Sequence, residues 1–201
     1  MAFDESLNIT HITNNLRNYE SARTGFFVLE VHGLDNLARP DYTGEAIGAD
    51  VPESNRIAKA EEYLRLNVLK SPVPHFSVGT EEFRRGNDVV KFATVPSWEN
   101  GTITVDDIVG IDTKSILMAW LYLAYNPHTR KGGRMADYKK TASLLEYTQD
   151  YELIRTWTID GIFVTGITED DFDRENDGKR RMTVNFAFDR ATVDLPNEQE
   201  D

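Results

Sequence analysis

Histidine, the side chain that titrates nearest to neutral pH, occurs four times in the 201 residues. The four positions, His11, His32, His75 and His128, are far apart, and none has another His, Asp or Glu four residues away. A zinc pair on one helix needs that spacing. We therefore interpret all four as structural or surface histidines, a thin supply for acid–base catalysis.

The acidic segment at 169–178 is similar to a calcium-binding loop at first sight. Asp173, Glu175 and Asp177 match its first, third and fifth positions, and Gly178 matches the sixth. The twelfth position, which needs a bidentate Glu, is Val184. We therefore interpret the segment as a solvated hairpin tip.

Glycines between basic residues at 130–134 (RKGGR) are of the kind that lets backbone amides approach a phosphate. The segment lacks the Walker spacing and the Ser or Thr after Lys131. It is interpreted as a flexible basic loop, or one that pairs with an acidic neighbour. With no cysteine and no nucleophile elbow in the chain, we predict no catalytic residue, metal site or cofactor, and no enzymatic activity.

The formal net charge of −12 argues against a surface that grips nucleic acid, since such surfaces neutralise phosphates with Lys and Arg. The absence of cysteine fits assembly in a reducing cytoplasm. Residues 1–18 are polar and do not have the pattern of a signal peptide. No apolar run reaches the roughly 18 residues that a membrane span needs, so no membrane association is expected.

Short strands dominate the predicted elements. Alternating or β-branched patterns predict the strands listed here: 26–32, 64–68, 75–83, 88–95, 102–106, 141–148, 152–162 and 180–190. A short helix is predicted at 55–63 and the principal helix at 113–125, capped by Asp112 or Thr113. The fold class is mainly β, an antiparallel two-sheet sandwich or partly open barrel. The predicted organisation is an arm (1–24), a body (25–195) with a long loop at 34–62, and a polar tail (196–201).

Three pieces of the C-terminal half, taken in order, resemble tail tube proteins of contractile-tailed bacteriophages. They are ADYKK at 136–140, W-x-I-x-G-x-F at 157–163, and the last strand MTVNFAFD at 182–189. Phage tube proteins often have Pro after the aromatic residue of the second piece, where this chain has Val164. The same fold is similar to the Hcp tube rings of secretion systems.

The resemblance implies a two-sheet barrel with a helix on its flank, and six copies in a ring whose rings stack into the inner tail tube. The implied partners are other copies of the chain, the tail sheath, the baseplate, the tail terminator, and a tape measure protein in the lumen. Genomic DNA passes through without specific binding. The implied location is the virion tail, after assembly in the host cytoplasm.

If the chain forms such a tube, the candidate assembly contacts are charged residues: Arg130, Lys131, Lys139, Lys140, Asp171 and Asp173. The arm and the loop at 34–62 are candidates for contacts between rings, and an acidic lumen wall is expected to repel DNA. Two alternatives stay open, an Hcp-like ring of a contractile secretion system and a small-ligand-binding β barrel.

Overall fold

A computed structural model describes residues 24–40, 51–108, 112–171 and 178–195. Strands make up 53% of the structure. In chain order they are β1 (Phe27–His32), β2 (Leu37–Ala38), β3 (Arg56–Ile57), β4 (Val68–Lys70), β5 (Phe76–Arg85), β6 (Asp88–Trp98), β7 (Gly101–Asp106), β8 (Tyr125–Asn126), β9 (Lys131–Gly132), β10 (Lys140–Tyr147), β11 (Leu153–Glu169), β12 (Arg181–Ala187) and β13 (Arg190–Asp194). The helices are α1 (Ala60–Asn67), α2 (Thr113–Ala124) and α3 (Met135–Tyr138).

A single antiparallel sheet of seven strands curls into a half-barrel, in the order β1-β10-β11-β12-β7-β4 with β13 also paired to β11. The 17-residue β11 belongs to both halves of this sheet. Its first part lies between β10 and β13, and its second part pairs with β12. We call the four strands β1, β10, β11 and β13 sheet I, and the strands β11, β12, β7 and β4 sheet II. The predicted mainly β, partly open barrel is confirmed.

Gly161 marks the point where β11 passes from sheet I to sheet II. Its φ of +69° lies in the left-handed region, and the β10–β11 register shifts there. A Cβ on Gly161 would lie 2.2 Å from Oδ2 of Asp189, so no other residue fits without displacing that carboxylate. The glycine of the 157–163 motif is therefore the bend that lets one strand serve two sheets.

The core lies inside the half-barrel, and α2 closes one side of it. Trp120 and Leu117 on α2 are buried against the inner faces of the strands, where Met182, Val184 and Phe186 fill the interior. The predicted helix is confirmed, and its cap is Asp112, whose Oδ1 accepts a hydrogen bond from the Ser115 N–H at 3.1 Å.

The strand predicted at 64–68 is wrong, because the chain is helical there until Asn67. Ala60, Leu64 and Asn67 are buried at helical spacing, whereas Leu66 is 60% exposed. The alternation of Leu64, Leu66 and Val68 indicates a strand only if all three side chains are buried on one face, and the sequence does not show that Leu66 is exposed. The short helix predicted at 55–63 is shifted to 60–67.

The single last strand predicted at 180–190 is divided in two. β12 ends at Ala187 in sheet II, and β13 begins at Arg190 in sheet I. Of the predicted organisation, nearly all of the arm, residues 41–50 of the loop and the polar tail lie outside the described residues. The described part of the loop contains β2, β3, a short 3-10 turn at Glu53–Asn55 and the first turn of α1.

Candidate assembly surfaces

The hairpin of β5 and β6 is the most exposed element that the structure describes. Every residue of β5 and all of β6 except Trp98 are solvent-exposed. Val95 is 84% exposed and Phe76 54% exposed. A two-stranded ribbon is marginally stable alone in water, so a hairpin of 10 and 11 residues is unusual without a surface to pack on.

One face of the outer half of this hairpin carries three large apolar side chains as well as charged ones, and the opposite face carries one large apolar side chain. Phe83 pairs with Val90 on one face, and the ring of Phe83 lies 5.6 Å from that of Phe92. Glu82 pairs with Lys91 on the opposite face, with a salt bridge of 2.7 Å. We call Phe83, Val90 and Phe92 the apolar hairpin face. A monomer gains nothing by exposing it, whereas an interface would bury it.

Aromatic and ionic contacts hold the base of the hairpin to the barrel. The Trp98 ring lies 4.9 Å from Phe76 and 5.7 Å from Phe188, which follows β12. His75 Nε2 lies 2.9 Å from a carboxylate oxygen of Glu99, and this hydrogen bond raises the pKa of His75. The base is therefore positioned by the core while the outer half projects away from it.

Sheet I has two open edges within the described residues. β1 pairs only with β10, and β13 pairs only with β11, so each presents one unpaired side. Both strands are five or six residues long and neither contains proline. Sheet II ends instead at the three-residue β4, and Pro72 follows two residues later. Unpaired strand edges are sites where another chain can add.

Arg130 and Lys131 lie on a small hairpin formed by β8 and β9, and both side chains are exposed. The buried side chain of Asn126 accepts hydrogen bonds from the N–H groups of His128 and Thr129 and fixes the turn. A Cβ on Gly133 would lie 1.7 Å from the Leu123 carbonyl oxygen, so this glycine lets the loop lie against the end of α2. The basic loop therefore contains a short hairpin and a hydrogen-bonded turn.

Lys139 forms its contact inside the subunit. Its Nζ lies 2.7 and 2.8 Å from the two carboxylate oxygens of Asp189, the same carboxylate that occupies the space beside Gly161. The Tyr138 carbonyl accepts a hydrogen bond from Trp120 Nε1 at 2.8 Å. The three pieces of the sequence resemblance thus converge at the bend of β11.

Lys140 is half-buried next to Gly33, and burial lowers its pKa, while Asp137 and Glu61 act in the opposite direction. Asp171 is exposed, and Asp173 lies outside the described residues. Lys139 and Lys140 therefore make contacts within their own subunit. Arg130, Lys131 and Asp171 are exposed on its surface. The assembly role of all six residues stays a prediction.

Ion pairs hold the described ends of the acidic segment, Glu169 and Arg180, near the start of α2. Lys114 Nζ lies 2.7 Å from Glu169, and Arg180 contacts both Glu169 and Asp107. The hydrogen bond from Lys114 is the main cause that lowers the pKa of Glu169, although burial opposes it. The basic hairpin follows the other end of α2, and a 12-residue helix is about 18 Å long. The two charged segments therefore lie at opposite ends of one helix.

The barrel interior is filled by side chains, and an apolar groove of about 210 Å³ between Phe26, Val73 and Ile154 opens at the barrel's edge. In the described ranges, no three His, Asp or Glu side chains are grouped to hold a metal ion. Nor does any helix in these ranges have the length and apolar character to cross a bilayer.

No protein-family model matches the chain, and no curated protein is similar to it in sequence. Solved structures are similar to it in fold. A chain of the sheath–tube complex of the extracellular contractile injection system PVC matches with a TM-score of 0.56 and 16% identity, over 92% of this chain and 98% of that one. A chain of the PVC sheath/tube terminator matches with a TM-score of 0.55 and 17% identity, over 88% and 99%. A chain of the anti-feeding prophage baseplate matches with a TM-score of 0.54 and 9% identity, over 87% and 96%.

The chain has the tube-protein fold. At these identities the similarity concerns the fold, and it confirms the fold that the sequence resemblance implied. Hcp1 from Salmonella typhimurium matches more weakly, with a TM-score of 0.40 and 15% identity. Two kinds of surface in this fold lack a partner within the described residues: the apolar face of the exposed hairpin and the unpaired edges of sheet I.

Proposed function

We propose that the chain is a structural subunit that assembles with copies of itself into stacked rings, forming the inner tube of a contractile particle. The observation that carries this proposal is the pair of unpaired edges, β1 and β13, on one sheet of a tube-protein fold. An edge strand exposes unpaired N–H and C=O groups, which a monomer usually covers. Identical neighbours satisfy those groups when the rotation that relates them closes a ring.

The directions of the two edges support lateral pairing. β10 and β13 both run antiparallel to β11, and β1 runs antiparallel to β10. β1 and β13 therefore run in opposite directions. When subunits are related by rotation about a central axis, β1 of one copy meets β13 of the next as an antiparallel pair. Sheet I then continues through the ring without a change of pattern, and we propose six copies for each ring.

The apolar hairpin face supports a second contact, because it needs a partner surface that its own subunit does not provide. A projecting hairpin reaches beyond the barrel, so we assign it to the contact between neighbouring subunits or rings. The charged segments at the two ends of α2 support a head-to-tail arrangement, in which Arg130 and Lys131 meet the acidic segment of another copy near Asp171. Each such ion pair contributes little, about 0–1 kcal/mol, and acts mainly on orientation.

The proposed partners outside the tube are a contractile sheath, a terminator and a baseplate. Structures of similar fold are described as parts of a sheath–tube complex, a terminator and a baseplate, which supports these three partners. A structural role without enzymatic activity follows for this chain. Our specific form of the proposal is a phage tail tube in the virion, assembled in the host cytoplasm. In that form a tape measure protein fills the lumen first, and genomic DNA follows.

An injection or secretion particle is the second candidate, favoured by the description of the PVC and anti-feeding prophage structures. The two candidates share the tube and differ in cargo. Purified particles that carry this chain separate them. Nuclease-protected DNA in the particle supports the phage tail, and its absence supports the injection particle.

Proline substitution tests the lateral contact. Successive backbone N–H groups of a strand point to opposite sides. In β13, one of Thr192→Pro and Val193→Pro therefore removes a bond to β11, and the other removes an N–H from the open edge. We expect the variant with the unchanged melting temperature to stay monomeric in analytical ultracentrifugation, where the wild type forms species of six 22.9 kDa chains. Equal assembly of both variants would refute edge pairing.

A further inference from the structure

The uncovered face of sheet I is rich in hydroxyl groups, and two of its three carboxylates are paired with arginines. Opposed residues form rows across its four strands, such as Glu30, Ser143, Thr158 and Thr192. The face carries five hydroxyl side chains from β10, β11 and β13: Thr141, Ser143, Thr156, Thr158 and Thr192. None of them is buried, because the alternate residues of the same strands face the core.

Carboxylates on this face are mostly paired. Asp160 accepts a hydrogen bond from Arg190 at 2.8 Å, on the face itself. Glu30 accepts one from Arg65 of α1 at 3.0 Å. Asp194, at the end of β13, is exposed at the margin of the face. The excess of acid that gives the chain its net charge of −12 comes mostly from segments 1–23, 41–50, 172–177 and 196–201 of the sequence, and not from this sheet.

We infer that this hydroxyl face is the wall of the channel, and that the wall does not select cargo by charge. The inference rests on the proposed function, since only a ring creates a channel. If sheet I is the sheet that continues from copy to copy, its other face is already covered by the core of its own subunit. The uncovered face then points to the ring axis.

The chemistry of the wall follows from these side chains. Threonine and serine hydroxyls both donate and accept hydrogen bonds, and they hold water without carrying charge. Ion pairs on the wall present both signs at short range, so their fields largely cancel beyond a Debye length of about 8–10 Å. The net charge of the whole chain predicts an acidic wall instead, and measurement of the charge at the wall distinguishes the two.

Single cysteines locate the wall, because the chain has no cysteine of its own. Thr158→Cys lies in the centre of the hydroxyl face, and Thr183→Cys is the matched control at a half-exposed position on β12. In free subunits both cysteines should react with a small maleimide and with a maleimide attached to a large polyethylene glycol. In assembled tubes, Thr158→Cys should keep its reaction with the small reagent and lose at least tenfold in its rate with the large one. Full reaction with the large reagent, or loss of reaction with both, would overturn the assignment.

Small cationic and anionic thiol reagents on assembled Thr158→Cys tubes test the charge of the wall, because retention of a polycation would also report the rest of a chain with a net charge of −12. The ratio of the cationic to the anionic reaction rate, divided by the same ratio for a free thiol in solution, should lie within about threefold of one. A ratio at least tenfold in favour of the cationic reagent would show an acidic wall and overturn the inference. Absence of tubes in electron micrographs is a separate result, and it contradicts the proposed function instead.

Discussion

Truncation of Phe83 tests whether the apolar hairpin face is an assembly contact. Phe83 is 46% exposed, and a phenylalanine side chain has roughly 200 Å² of surface, so about 90 Å² is available to a partner. At about 25 cal/mol per Å², burial of that area contributes about 2 kcal/mol to each contact. Phe83→Ala should therefore raise the critical concentration for assembly by about 30-fold, since 1.4 kcal/mol corresponds to a factor of ten.

Light scattering and sedimentation over a concentration series measure this shift, and thermal denaturation checks the subunit itself. The hairpin stands apart from the core, so the melting temperature should change by less than about 2 °C. Val89→Ala is the matched control, because Val89 pairs with Arg84 on the opposite face of the same hairpin and is 49% exposed. It should change the critical concentration by less than about threefold. Assembly of Phe83→Ala at the wild-type concentration would show that the apolar hairpin face is not an assembly contact.

Three further variants follow from the structure. Gly161→Ala should cost about 2 kcal/mol or more of unfolding free energy in denaturant titrations, because its φ is positive and its Cβ would meet Asp189; Gly166→Ala, with its nearest atom at 3.8 Å, should cost clearly less. Glu169 has a folded pKa below its unfolded value, so its contribution to the free energy of unfolding is present above about pH 4.3 and is lost as pH falls towards the folded pKa. Glu169→Gln should therefore make the free energy of unfolding fall less steeply at acid pH than in the wild type. An unchanged pH dependence would contradict this. Arg130→Glu with Lys131→Glu should weaken assembly most at low salt, with the melting temperature unchanged, and a salt-independent defect would count against a charge contact.

The sequence predicted those parts of the fold in which one pattern has one structural meaning. The last strand alternates large apolar and polar residues, and Met182, Val184 and Phe186 are buried as expected. The principal helix is apolar on most of its circumference and is correspondingly buried on several sides. The sequence identifies the glycine of the 157–163 motif, but only the structure shows why it is a glycine, since Asp189 occupies the space of a side chain there.

The missed features depend on contacts that a strand pattern does not encode. Alternation in β5 and β6 predicts a surface that is covered on one side, without saying whether the cover is the same chain or another copy. The sequence therefore predicts two ordinary strands here, and its candidate assembly contacts are charged residues, whose role stays a prediction. Likewise, a lysine such as Lys139 is typical of an exposed surface, yet its ammonium group is bound by the carboxylate of Asp189, fifty residues later in the sequence.

Electron cryomicroscopy of the purified wild-type chain at increasing concentration shows whether the subunits join edge to edge. We expect closed six-membered rings and stacked tubes in which β1 of each copy pairs with β13 of the next and the hydroxyl face of sheet I surrounds the channel. A chain that stays monomeric at every concentration, with the β1 and β13 edges covered by its own backbone, would contradict this expectation.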